Sequence, residues 1–188
     1  TPLHVAVHEG HLEIVQMLLA RGCNKEARTN RQYYHTPLHF ACRSGHYESA
    51  RLLLDQGADL NAQTYNELTP LHSACTNGHL ETVRLLLERG GGANVDARDK
   101  NGWTPFHCAC FKGHLLVARF LLEKGLVNNV DSSDLSTPLH RACQDGNLEM
   151  ARLLLDHGAI VDARRQDSSS KRDGLPCHWH AKKDTNYS

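Results

Sequence analysis

The chain repeats itself, and no other feature limits its fold so tightly. Thr-Pro-(Leu/Phe)-His occurs at Thr1, Thr36, Thr69, Thr104 and Thr137, at spacings of 35, 33, 35 and 33 residues. A Gly stands nine residues after each Thr (Gly10, Gly45, Gly78, Gly113, Gly146) and another twenty-one after it (Gly22, Gly57, Gly90, Gly125, Gly158). An apolar triplet precedes each second Gly, as in Leu52-Leu53-Leu54 and Phe120-Leu121-Leu122. A period of this length signals small units that cannot bury their apolar faces alone and must stack.

Each unit reads as helix, turn, helix, loop. Thr followed by Pro predicts an N-cap with Pro at the first helical position, where the missing N–H costs nothing. Leu38, Ala41 and Cys42 then recur at helical spacing, and Gly45 supplies a left-handed stop. A second helix places Ala50, Leu53 and Leu54 on one face and Glu48, Arg51 and Asp55 on the other, with Gly57 at its end. In the loops, Asp99-Lys100-Asn101-Gly102 predicts a hairpin tip with a primed turn, which Asn-Gly favours.

Thr69-Pro70-Leu71-His72 and Asn77-Gly78-His79-Leu80-Glu81-Thr82-Val83-Arg84-Leu85-Leu86-Leu87, on this period, closely resemble the ankyrin repeat. The resemblance covers Thr1 to about Ala163. It implies an all-α solenoid of stacked helix-turn-helix units with hairpin-like loops. Five repeats begin near residues 1, 36, 69, 104 and 137, the first without its leading loop, in a domain spanning 1–163. Residues 164–188 are expected to form a degenerate sixth repeat or a flexible tail, with six Lys/Arg against three Asp/Glu. The second helix of the first repeat, Leu12 to Ala20, is as apolar as an internal one, so further repeats are expected before Thr1. Local departures are two inserted residues near Tyr33-Tyr34, the run Gly90-Gly91-Gly92, and the loop Leu126 to Val130, which lacks the usual Ala-Asp. Leu60-Asn61-Ala62 matches the pattern in which the family's Asn is hydroxylated, with Asp96 and Asp162 at comparable places.

Composition raises a competing idea. Fourteen His and seven Cys would suit zinc or thiol chemistry. Position answers most of it. Cys42, Cys75, Cys110 and Cys143 share one small inward site on the first helix, and Cys108 is also expected to pack. So many unpaired thiols suit a reducing compartment, and an intracellular location, cytoplasmic or nuclear, is expected. His4, His39, His72, His107 and His140 belong to the motif, where the resemblance implies bonds to the adjacent loop. His11, His46, His79 and His114 open second helices, with Asn147 in the fifth. Cys177-His178-Trp179-His180 is the one ligand-like run, and it lacks a second pair, so no metal is expected. No nucleophile elbow, phosphate loop or zinc-protease motif is present, so neither catalysis, a cofactor nor a small-molecule substrate is expected. The 21 Lys+Arg balance 21 Asp+Glu, which argues against a nucleic-acid partner. No run of roughly 18 apolar residues would span a membrane.

What remains is surface. The family likeness implies a concave groove lined by hairpin tips and the exposed side of each first helix. In register, these positions hold Tyr33, Tyr34 and Arg43; Gln63, Tyr65, Asn66, Leu68, Thr76 and Asn77; Arg98, Lys100, Asn101, Trp103, Phe111 and Lys112; and Ser133, Asp134, Ser136, Gln144 and Asp145. Five of the 11 aromatics fall there. Aromatics and Arg dominate interface hot spots, so the expected function is non-catalytic recognition of a protein partner by a monomer. The alternative function is a targeting or regulatory domain of a larger enzyme, ligase or channel. For the aromatics, the alternative is that they lie on neighbouring tips and stiffen the stack. On the binding reading, Trp103→Ala with Phe111→Ala weakens partner capture and leaves melting nearly unchanged.

Overall fold

The computed structural model describes residues 1–30, 33–89, 92–125 and 137–161. Among them lie ten helices and no strand: α1 Pro2–His8, α2 Leu12–Ala20, α3 Pro37–Ser44, α4 Tyr47–Asp55, α5 Pro70–Asn77, α6 Leu80–Glu88, α7 Pro105–Phe111, α8 Leu115–Glu123, α9 Pro138–Gln144 and α10 Leu148–Asp156. Each repeat contributes one pair. The longest of these helices has nine residues, too few to persist alone in water. Capping and stacking therefore have to hold them.

Capping comes from the motif itself. Thr36, Thr69, Thr104 and Thr137 each donate their N–H to Nδ1 of the motif His three residues on, at 3.1–3.3 Å. In the last three, the Thr hydroxyl accepts the His N–H in return, at 3.4 Å. This is a capping box in which imidazole takes the place usually held by Glu. The other ring nitrogen reaches the next repeat. Nε2 of His4, His39 and His72 donates to the carbonyls of His35, Leu68 and Trp103, each at 3.0 Å. A carbonyl only accepts, so the proton sits on Nε2 and the ring is neutral. Burial reinforces this, pushing His39 down to about 4 and lowering His72 as well.

Between repeats the core is small and closely packed. Leu3, Leu38, Leu71 and Phe106 are buried, as are Ala6, Ala41, Ala74 and Ala109. First helices approach one another more closely along the stack than second helices do, which the Ala and Cys side chains permit. This difference bends the stack toward the first-helix and loop side, making that side concave. Cys42, Cys75, Cys108 and Cys110 are buried as expected. Cys143 is exposed, against expectation, because no further described helix pair stacks on the fifth.

The second set of histidines does more than open helices. Nε2 of His46, His79 and His114 reaches back one repeat to the carbonyls of His8, Arg43 and Thr76, at 2.9–3.0 Å. Those carbonyls end α1, α3 and α5, where acceptors lack helical partners. Gly45 makes room for this contact. Its φ is +73°, and a Cβ there would stand 2.5 Å from His79 Nδ1. Gly78 has the same relation to His114. His11 has no described repeat before it and is exposed. Asn147 differs, accepting the Met150 N–H as an ordinary N-cap at 3.0 Å.

The hairpin tips are built otherwise than Asn-Gly predicts. Gly102 N–H donates to Asp99 O at 2.8 Å, and Asp99 N–H to Trp103 O at 2.9 Å. Among the described non-glycines only Tyr34 and Glu67 have positive φ, so Asn101 is not left-handed and the primed turn is absent. The loop has three residues and closes on a left-handed Gly102. Asp99 sets it, its Oδ1 accepting the Asn101 and Trp103 N–H groups at 2.9 and 2.8 Å. Successive tips are joined by Tyr65 N–H to Tyr33 O and Lys100 N–H to Asn66 O, both 3.1 Å. The Leu126–Val130 loop, Gly90, Gly91 and the sequence from Asp162 onward, including Cys177, His178 and His180, lie outside the described residues.

Candidate functional site

The concave side is formed by the joined tips and by the exposed ends of α1, α3, α5, α7 and α9. Its aromatic residues each meet another ring or a cation. Trp103, pinned through its carbonyl by His72, meets Phe111 edge to face at 5.2 Å between ring centroids. The Arg141 guanidinium, from the next repeat, lies 5.3 Å from the Trp103 centroid and 5.2 Å from that of Phe111. Lys112 Nζ lies 5.2 Å from the Phe111 ring. One tip earlier, Lys100 Nζ stands 3.4 Å from the centroid of Tyr65. At the second tip, Arg28 lies 5.8 Å from the Tyr34 ring and donates to Gln63 O at 3.3 Å. Cation–ring contacts at exposed sites are worth about 0.5–1 kcal/mol each.

The other expected positions are placed as follows. Tyr33 is 50% exposed and Tyr65 55%, while Tyr34, Trp103, Phe111 and Lys112 are half-buried. Arg43, Asn66, Arg98 and Gln144 are exposed. Gln144 Oε1 accepts from Arg141 at 3.1 Å, and Arg98 donates to Gly102 O at 3.4 Å. Arg43 joins neither ring pair; its carbonyl serves His79. Thr76 and Asn77 bond back into α5, to His72 O at 2.7 Å and Ser73 O at 2.8 Å. Ser133, Asp134 and Ser136 lie outside the described residues. Asn61 is exposed, and its Oδ1 accepts the Asn94 N–H of the following loop at 2.9 Å.

Arg141 and Arg28 were not legible as groove residues. Arg141 occupies the fourth position after its motif Thr, where the other repeats carry Val5, Phe40, Ser73 and Cys108. A lone charge in that series is the signal that could have found it. Phe40, at the same position, gathers a second cluster, with His4, His8 and His35 rings 5.4–5.8 Å from its centroid.

Burial drives the thiols of Cys42, Cys75 and Cys110 well above the usual thiol range, so they are protonated and unreactive. Among the described residues, no group of three or more His, Cys, Asp or Glu is arranged to hold a metal. No described helix is long and apolar enough to cross a membrane.

The family model for ankyrin repeats (three copies) matches residues 1–64, 61–134 and 90–167. The chain is an ankyrin-repeat protein. No curated protein matches it. Ankyrin repeats are generally protein–protein interaction modules and generally non-catalytic. The stack of ten helices among the described residues is the architecture of that family.

Proposed function

We propose that this ankyrin-repeat chain is a non-catalytic recognition module that holds a protein partner against its concave groove. The supporting observation is where the aromatics lie. Tyr33 and Tyr65 are half or more exposed on that face, beside the partly exposed Trp103 and Phe111. Tyr34, Arg43, Asn66, Arg98, Lys100, Lys112 and Gln144 complete the surface. Tip-to-tip hydrogen bonds and histidine bridges hold it in place before any partner arrives, so little ordering entropy is lost on binding. The buried thiols of Cys42, Cys75 and Cys110, with no disulfide among the described residues, favour a reducing compartment, and the site of action is the cell interior.

A photo-reactive amino acid introduced at Asn77, on the groove, is expected to cross-link a protein partner in cells. The same probe at Glu48, on the opposite face, is not. Equal labelling from both positions would end the groove assignment. Tyr65→Ala is the better substitution for the accompanying affinity measurement. Trp103 and Phe111 are packed with Arg141, so their double replacement will lower the melting temperature as well.

A further inference from the structure

Charges on the two faces of the stack are held differently. On the outer helices, Arg51, Arg84, Arg89 and Arg152 pair with Glu48, Glu81, Asp55 and Glu149. Arg84, whose guanidinium lies 4.5 Å from the Phe120 centroid, keeps Glu81 at 3.7 Å, while Lys124, 5.8 Å from the same ring, has no ion pair among the described residues. In the groove, Arg28, Lys100 and Arg141 rest on aromatic rings. None of the three makes an ion pair among the described residues, although Glu67 and Asp145 stand on the same face. An aromatic ring orders a cation without cancelling its charge. The groove therefore offers positioned, un-neutralised cations beside apolar rings, on a chain whose formal net charge is zero.

We infer that the partner presents an extended acidic segment in which carboxylates alternate with aromatic or large apolar side chains. This rests on the groove being the binding face. Carboxylates would meet Arg28, Lys100 and Arg141, and the apolar side chains would meet the exposed faces of Tyr65 and Trp103. Arg141 Nε is buried and unbonded, while its Nη1 is anchored to Gln144; the guanidinium is held in a fixed orientation. From the second tip to the fifth repeat there are three stacking steps of about 10 Å each. At about 3.3 Å per residue, an extended segment of about nine residues covers them. Acidic side chains about three residues apart then stay in step with the repeats.

The test is selection of short random peptides from a display library on the intact chain, followed by fluorescence anisotropy in rising salt. Selected peptides are expected to be enriched in Asp and Glu beside Phe, Tyr, Trp or Leu. Their affinity should fall at least about tenfold when Arg28→Glu and Lys100→Glu are combined, and stay unchanged in Arg51→Glu with Arg152→Glu. Thermal melts check that each variant folds; if the charge reversal does not fold, Arg28→Gln with Lys100→Gln takes its place, with a smaller loss expected. Neutral or basic selected peptides would overturn the inference. So would Asp/Glu→Asn/Gln peptides that bind equally well, an outer-face reversal that weakens binding as much, or oligothymidylate of equal charge binding as tightly. A groove cross-link to a partner without an acidic segment would defeat this inference and leave the proposed function standing. Failure of the proposed function reads differently, as no groove-specific cross-link at all.

Discussion

The inner and outer faces of this stack are built from the same repeats yet use polar residues in opposite ways. Outside, Glu48 with Arg51, Glu81 with Arg84 and Glu149 with Arg152 are exposed pairs within one helix, and among the described residues Arg89 with Asp55 alone joins two repeats. Such pairs favour solubility and contribute little to stability. Inside, the polar groups cross from repeat to repeat. His39 and His72 tie a helix start to the following loop, and His79 and His114 tie a helix start to the preceding helix end. A helix pair that cannot stand alone is thus joined to both neighbours by directional bonds as well as by Leu and Ala packing. The comparison predicts where substitutions will hurt.

The largest difference is expected from His72→Ala. It removes the acceptor for the Thr69 N–H, which is buried, and the donor to Trp103 O, which is partly buried. Leaving those groups unpaired costs about 3 kcal/mol, read as a lower urea midpoint. Arg152→Ala on the outer face should leave the midpoint unchanged within error. Equal losses would mean that the histidine bridges are decorative.

Acid should separate the faces next. The folded chain holds His39 neutral down to about 4, whereas the unfolded chain takes up the proton near 6.5. Between those values the unfolded state binds more protons, so stability falls as pH falls. By pH 5 the His39 share is about 2 kcal/mol, with His4, His35 and His72 shifted the same way. Urea melts from pH 7.5 to 5 should show the loss, and His39→Gln should flatten the slope. An unchanged slope in that variant would remove His39 from the account.

The repeat was legible because the same residues recur in the same local roles. Thr-Pro and Gly act within a few residues of chain, so their effect can be read without knowing the stack. The histidine bridges were half legible. Nδ1 serves its own repeat, but Nε2 serves another about thirty residues away, a link set by stacking register. Arg141 was missed for the same reason, since its rings belong to the preceding repeat. The tip was misread because Asp99 and the neighbouring tip, rather than Asn-Gly, decide its turn.

That turn yields a smaller prediction. Glu67 holds the position that Gly102 holds in the next tip, at φ 62°. A left-handed non-glycine residue costs about 1 kcal/mol or a little more. Glu67→Gly relieves it, and the extra freedom of Gly in the unfolded chain returns part of the gain. A net rise of about 2 °C in melting temperature is expected. A fall would show that Glu67 contributes a contact on the groove rim that outweighs its strain.

The finest distinction between the faces is whether a ring really holds a cation. Lys100 Nζ over Tyr65 at 3.4 Å should show a coupling of about 0.5 kcal/mol in a double-mutant cycle of Lys100→Gln with Tyr65→Leu. Arg152 and Glu149, 3.8 Å apart and about two-thirds exposed, should show a coupling that vanishes at roughly 0.5 M salt, where screening acts over a few ångströms. The ring face excludes ions from between the two groups, so its coupling should persist. If both couplings vanish together, the groove cations are as loosely held as the outer ones. The two faces would then differ in which residues they carry and not in how those residues are ordered.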